Sequence, residues 1–340
     1  MTRVLIGALI ALLISLVAGP FFIDFLRRRA YGQQIREEGP QHHIGKQGTP
    51  TMGGVLIIVA AAIAFLITTV YTLPALTIFG TMVACGAIGF ADDFIKLTHR
   101  RSLGLSGRWK MVLLALVSVA VGLLAHDLGL STSIYLPLLD WSLPLGWLWY
   151  PFLFLVIAGF ANGVNLTDGI DGLAAGTSMI AIFTFTVMAV YSYIRTGQLG
   201  EQSISYLDLA ILGGALIGAA VGFLWYNAFP AEVFMGDTGS MAFGGALGAF
   251  AVMMKAEALL LLVGGIFVLE ALSVMLQVFT FKYLGRRVFL MAPIHHHFEM
   301  KAWSETKIMV RFWIVPGILC AAGFALYYRY FVEGFLPARR

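Results

Sequence analysis

The chain has 340 residues, 59% of them hydrophobic and only 12% charged, about half the charged share of an ordinary soluble domain. That imbalance argues against a water-soluble fold, and a net charge of +4 drawn from so few basic groups gives no reason to expect nucleic acid as a partner. The two cysteines, Cys85 and Cys320, lie inside apolar runs, so neither a disulfide framework nor a thiolate metal site is expected.

A helix needs about 20 mostly apolar residues to cross a hydrocarbon core roughly 30 Å thick. Segments of that kind are predicted at 4–26, 51–72, 73–96, 110–126, 146–164, 173–194, 207–228, 236–254, 258–283 and 307–331. The expectation is an all-α, polytopic integral membrane protein of about ten transmembrane helices, forming a single membrane domain over residues 1–340. The first segment is too long for a signal peptide, and no small-residue cleavage site precedes Arg27-Arg28-Arg29. Only Tyr71-Thr72-Leu73-Pro74 separates the second span from the third, and Lys255-Ala256-Glu257 the eighth from the ninth, so both pairs read as tight helical hairpins. Gly214, Gly218 and Gly222 on the seventh span, and Gly244, Gly245 and Gly248 on the eighth, read as small-residue faces for close helix packing.

An even number of spans places both termini on one side. Arg27, Arg28, Arg29, Arg36 and Lys46 follow the first span; Lys96, Arg100, Arg101, Arg108 and Lys110 follow the third; Lys282, Arg286, Arg287, Lys301, Lys307 and Arg311 follow the ninth. Those sixteen of the 22 Lys and Arg mark the cytoplasmic face, leaving Arg3, Arg195, Lys255, Arg329, Arg339, Arg340 and both termini external. The segment 126–145 has no Lys or Arg and, with Trp141 and Trp147 at the level of an aromatic belt, reads as external.

Ionisable groups in or beside spans are expensive and are functional candidates by default. Four clusters fall at the predicted cytoplasmic ends. Asp92, Asp93 and Lys96 close the third span, with Asp92 and Lys96 four apart on one helix face. Asn162 opens a Gly-rich loop that also holds Asn165, Asp168 and Asp171; the stretch from Asn227 through Glu232 and Phe234 to Gly236-Asp237-Thr238-Gly239-Ser240 leads into the eighth span; and His295-His296-His297-Phe298-Glu299 lies in the long basic loop.

Each cluster also has a purely structural reading. Asp92 and Asp93 can pair with Lys96 and Arg100 at a helix end, and the Asn and Asp residues of the second and third clusters can form turns and caps. Three adjacent histidines resemble a zinc site, but neighbouring rings reach one ion only with an accommodating loop, and no cysteine joins them. Five aspartates and three histidines on one face of a charge-poor chain weigh toward chemistry. Carboxylates without thiolates suit Mg²⁺ shared with substrate phosphates, which points to phosphoryl transfer.

In chain order, Asp92-Asp93-x-x-Lys96, Asn165-Leu-Thr-Asp168-Gly-Ile-Asp171-Gly172, Phe234-Met-Gly-Asp237-Thr-Gly-Ser and Ala292-Pro-Ile-His295-His296-His297-Phe298-Glu299 resemble the phospho-N-acetylmuramoyl-pentapeptide-transferases. These belong to the superfamily of polyprenyl-phosphate N-acetylhexosamine-1-phosphate transferases, and the likeness covers essentially the whole chain. It implies a multi-pass protein of the bacterial cytoplasmic (inner) membrane that transfers phospho-MurNAc-pentapeptide from UDP-MurNAc-pentapeptide to undecaprenyl phosphate, giving lipid I and UMP with Mg²⁺.

Carried onto this sequence, the resemblance makes Asp237 the expected Mg²⁺ ligand. It counts Asp92, Asp93, Asp237 and His295 as catalytic, and places Lys96, Lys110, Asn165, Asp168, Asp171, Asn227, Phe234, His296 and His297 at the substrates, with Phe234 as a stacking face for uracil. The ninth helix is expected to be bent beside a groove for the lipid tail, membrane lipid is an expected partner, and the sequence leaves room for a homodimer.

Asp92 reads as a base or as a positioner of Mg²⁺ or Lys96, because a phosphate monoester with a second pKa near 6 is already largely a dianion at neutral pH. Direct attack by the lipid phosphate is favoured over a covalent carboxylate intermediate. Competing readings are transfer from UDP-GlcNAc and, in a different class, a lipid transporter or flippase, for which Glu270 inside the ninth span is the best clue, although Glu270 reads first as bonding a neighbouring helix or lining the lipid groove.

Overall fold

In the computed structural model the described residues are 1–29, 48–99, 103–200 and 202–329. Arg36, Lys46, Arg100, Arg101, Arg339 and Arg340, used in the charge tally, lie outside them, as does the end of the tenth predicted span. The helices are α1 (Thr2–Arg28), α2 (Gly54–Thr68), α3 (Leu73–Thr98), α4 (Gly107–Asp127), α5 (Trp149–Thr167), α6 (Leu173–Gln198), α7 (Ile204–Asn227), α8 (Gly236–Met253), α9 (Glu257–Val263), α10 (Gly265–Leu284), α11 (Ile294–Glu299) and α12 (Glu305–Tyr327). Among the described residues eight helices are long and apolar enough to cross a membrane: α1, α3, α4, α5, α6, α7, α10 and α12. The chain is an all-α polytopic membrane protein. Its predicted second and eighth spans fall on the 15-residue α2 and on α8, which opens with a polar, Gly-rich turn.

Burial sorts the helices. From Thr238 to Met253 every residue of α8 is buried, with α3, α5 and α2 packed around it. At the periphery α1, α4, α10 and α12 turn residues such as Leu9, Phe21, Leu116 and Phe279 outward, an arrangement that lipid tolerates and water does not. The glycine face on α7 meets α1 so closely that a Cβ at Gly218 would lie 1.9 Å from the Ala8 carbonyl oxygen. Its packing reading is the one observed.

Three features depart from a plain ten-helix reading or refine it. The ninth predicted span is interrupted at Gly264, dividing it into α9 and α10; a Cβ at Gly264 would lie 2.2 Å from the Phe160 ring. The segment after α4 contains an antiparallel hairpin, β1 (Ser133–Leu136) with β2 (Trp141–Pro144), in the register Ser133 opposite Pro144 and Leu136 opposite Trp141. Lys255 latches it, donating to the carbonyls of Ser131 (2.8 Å) and Ser133 (3.0 Å) while pairing with Glu257 at 2.7 Å. Finally, the tight link between α2 and α3 is organised by Asp208 of α7, which is fully buried. It accepts from the Thr69 and Thr72 hydroxyls and the Val70 and Thr72 amides at 2.7–2.9 Å.

Candidate active site

At the opposite end of the bundle from the hairpin, the C-terminal ends of α3 and α5, the N-terminal end of α8, the start of α4 and the short α11 converge. Helix α3 meets the first turn of α8 because residue 89 has no side chain; a Cβ there would lie 2.1 Å from the Asp237 carbonyl oxygen. The segment 48–54 forms a floor beneath that turn. Phe234 N donates to Pro50 O, and Gly53 N and Gly54 N donate to the carbonyls of Phe234 and Met235, all at 2.8 Å. Residues 51–53, expected inside the second span, belong instead to this floor; Thr49-Pro50-Thr51-Met52-Gly53-Gly54 is a polar and Gly-rich run at the head of the apolar stretch, the usual mark of an ordered loop.

Two lysines and two aspartates form the centre. Lys110 Nζ lies 2.9 Å from Asp237 Oδ2 and 3.4 Å from Asp92 Oδ1, while Lys96 Nζ contacts Asp92 Oδ2 and lies 3.2 Å from Asp237 Oδ2. The i,i+4 pairing of Asp92 with Lys96 is thus present, and Asp92 Oδ1 also accepts the Leu105 amide at 2.9 Å. Asp93, one step around α3, faces a different partner. Its Oδ1 accepts Asp237 N at 3.2 Å, and its Oδ2 accepts Thr238 N at 2.9 Å and the Thr238 hydroxyl at 2.8 Å. A carboxylate at the positive end of a helix dipole, bonded to its unpaired amides, is a capping arrangement supplied here by a neighbouring helix.

The second cluster divides by role. Asn165 Nδ2 donates to the Ser240 hydroxyl at 3.0 Å, and that hydroxyl donates to Gly236 O at 2.9 Å. Asp171 and Asn227 tie loop to loop: Asp171 accepts Ala231 N at 3.0 Å, and Asn227 accepts Gly172 N at 3.1 Å while donating to Val233 O at 2.9 Å. None of the Asn and Asp residues caps α6, whose N-cap is Gly172 at φ +74. Asp168, at the end of α5, has its carboxyl pushed up to about 8, by burial first and then by the negative charges of Asp237 and Asp93. Phe234 is half-buried.

The three histidines do not act as a set. His295 is wholly buried, with Nδ1 3.0 Å from Glu270 Oε1 of α10. Its Nε2 is so close to the 168–172 loop that a Cβ at Gly169 would lie 2.3 Å from it. The His296 ring packs on His295, centroids 4.1 Å apart, and its Nδ1 pairs with Glu299. His297 turns away: its Nδ1 accepts the Leu290 amide at 3.1 Å, and burial first, then Lys301, lowers its pKa toward the neutral ring that such an acceptor requires. Glu270, the residue behind the transporter reading, is therefore the partner of a histidine on α11.

Two groups of donors are spaced for a metal among the described residues, Asp92 with Asp93 and Asp237, and His295 with His296 and Glu299; within each, ligand atoms lie within 4.8 Å of one another. The first, all carboxylate oxygens, fits a hard divalent cation such as Mg²⁺.

Residues 75–255 match the model of glycosyl transferase family 4, and residues 46–58 match phospho-N-acetylmuramoyl-pentapeptide-transferase signature 1; the latter contains the 48–54 floor. The chain is 45% identical to a phospho-N-acetylmuramoyl-pentapeptide-transferase of Frankia alni, over 98% of this chain and 99% of the relative. It is 45% identical to that of Rubrobacter xylanophilus over 96% and 98%, and 43% identical to that of Halalkalibacterium halodurans over 94% and 96%. Fold and centre therefore define a membrane-embedded member of glycosyl transferase family 4. Within that class the chain belongs to the phospho-N-acetylmuramoyl-pentapeptide-transferase family.

Proposed function

We propose that the protein transfers phospho-MurNAc-pentapeptide from UDP-MurNAc-pentapeptide to undecaprenyl phosphate, releasing UMP and forming lipid I at the cytoplasmic face of a bacterial inner membrane. The observation that carries this reading is the Lys96–Asp92–Lys110–Asp237 centre, placed where an apolar bundle ends. A lipid phosphate held at headgroup depth and a soluble nucleotide diphosphate can meet there.

An oxygen of the lipid phosphate attacks the sugar-linked phosphorus of the diphosphate. The new P–O bond forms as the bond to UMP breaks, and UMP leaves with the electron pair. Lys96 and Lys110 stay on Asp92 and shift from Asp237 to the phosphate oxygens, where charge-assisted hydrogen bonds are strong. Asp237 would hold Mg²⁺, with Asp92 beside it, and the bound ion would supply charge neutralisation for the diphosphate. Asp92, already engaged by two ammonium groups and an amide, orients the lysines and does not act as a base. Asp93 fixes the first turn of α8 and so aims Asp237. His295 Nε2 and His296 meet phosphate oxygens, Asn165 and Asp168 line the diphosphate side, and Phe234 offers a face to uracil. Asp171 and Asn227 hold the two substrate loops together.

Radiolabelled UDP-MurNAc-pentapeptide with undecaprenyl phosphate and purified protein is expected to give Mg²⁺-dependent lipid I and UMP, with UDP-GlcNAc inert. Stoichiometric UMP release without the lipid, leaving a phosphosugar on an aspartate, would overturn direct attack. Translocation of lipid without product formation would overturn the enzyme reading.

A further inference from the structure

Glu270 lies on α10, six residues after the break at Gly264, and its side chain is fully excluded from solvent. A carboxylate withdrawn from water costs several kcal/mol unless it is paired, and apolar residues in place of such a pair are often neutral or stabilising, so stability alone does not explain it. Its Oε1 takes His295 Nδ1 at 3.0 Å, whereas Glu270 Oε2 and His295 Nε2 have no hydrogen-bond partner among the described residues. A ring that donates Nδ1–H to a buried carboxylate is fixed in orientation and tautomer, with Nε2 as the atom left to offer. Here Nε2 points across Gly169 into the loop that carries Asp168, toward the polar layer.

We infer that Glu270 is a positioning residue for phosphoryl transfer: from within the membrane-spanning α10 it holds the His295 ring so that Nε2 meets an oxygen of the diphosphate. The inference rests on the proposed reading that His295 touches phosphate. The interruption of the ninth span then acquires a purpose, because α10 starts anew at Gly265 and carries Glu270 to α11.

The test compares Glu270→Gln, His295→Gln and the double variant in the full-length protein, by steady-state kinetics and thermal unfolding. Carboxylate partners of metal-ligating histidines typically contribute about 10–100-fold, and the same orienting bond is made here to a phosphate-facing ring. Glu270→Gln is expected to lower kcat by about that factor, with KM for the UDP substrate changed less than about two-fold. In the His295→Gln background the same substitution is expected to cost nothing further. If Glu270→Gln does not fold, Glu270→Asp, which keeps the charge but withdraws it from Nδ1, is expected to show a smaller kcat loss that also vanishes in that background.

Wild-type kcat in the Glu270 variant while His295→Gln is impaired overturns the inference alone, as do losses that multiply in the double variant. Full activity in His295→Gln overturns the phosphate role of His295 and the inference with it. A wild-type protein that makes no lipid product overturns the proposed function itself.

Discussion

Replacing Asp93 by Asn separates positioning from direct chemistry at the centre. In the native site three donors converge on this carboxylate, the Asp237 amide at 3.2 Å and the Thr238 amide and hydroxyl at 2.9 and 2.8 Å. An asparagine can place its single carbonyl oxygen at the Thr238 side, keeping two bonds in weakened neutral form. Its NH₂ then faces the Asp237 N–H, donor against donor. Hydrogen bonds to charged groups contribute about 1.5–3 kcal/mol each, so losing one and weakening two costs about 3 kcal/mol. Spent entirely on transition-state alignment, that loss lowers kcat about 10²-fold. The assay is initial-rate product formation with labelled UDP substrate, paired with hydrogen exchange at the amides of residues 237 and 238. The expected result is the kcat loss, a nearly unchanged KM and faster exchange at both amides. Wild-type kcat, or a loss as deep as that of Asp237→Asn with exchange unchanged, refutes the positioning role.

Asp168, with its carboxyl raised from 3.8 to about 8, binds more protons folded than unfolded. Asp168 is therefore expected to contribute a fall in the stability of the metal-free protein as pH rises from about 4 to about 8, and Asp168→Asn reduces that slope in thermal unfolding measured across the range. Asp208→Ala leaves four donors of the 69–72 turn without their acceptor and, at about 1 kcal/mol or more for each, is expected to lower stability by about 4 kcal/mol or more, read as a lowered Tm with KM unchanged. The proposed sidedness is tested with introduced thiols, since Cys85 and Cys320 are buried. In intact cells Leu138→Cys, exposed on the hairpin, should react with an impermeant maleimide, and Arg287→Cys only after the membrane is opened; the reverse pattern would invert the topology.

Much of the site was legible because its chemistry is local in the chain. Asp92 and Lys96 meet because they are one helical turn apart, and Asp237 stands in the first turn of α8 just after Gly236. The contacts of Asp93, Asp171, Asn227 and Glu270 were not legible, because each is with a residue brought near only by helix packing, up to 145 positions away. The hairpin at 133–144 was missed for a related reason: with four residues per strand it has too short an alternation to register.

By itself the sequence determined the membrane-spanning character and the order of the polar motifs, because a bilayer demands long apolar runs and confines ionisable groups to their ends. It also carried the family likeness, which resides in motif order. Only the tertiary structure decided what each polar group is occupied with. Two adjacent aspartates on one helix point about 100° apart, so Asp92 turns to the lysines and Asp93 to the start of α8. Which of them is left for substrate depends on what packs against each face.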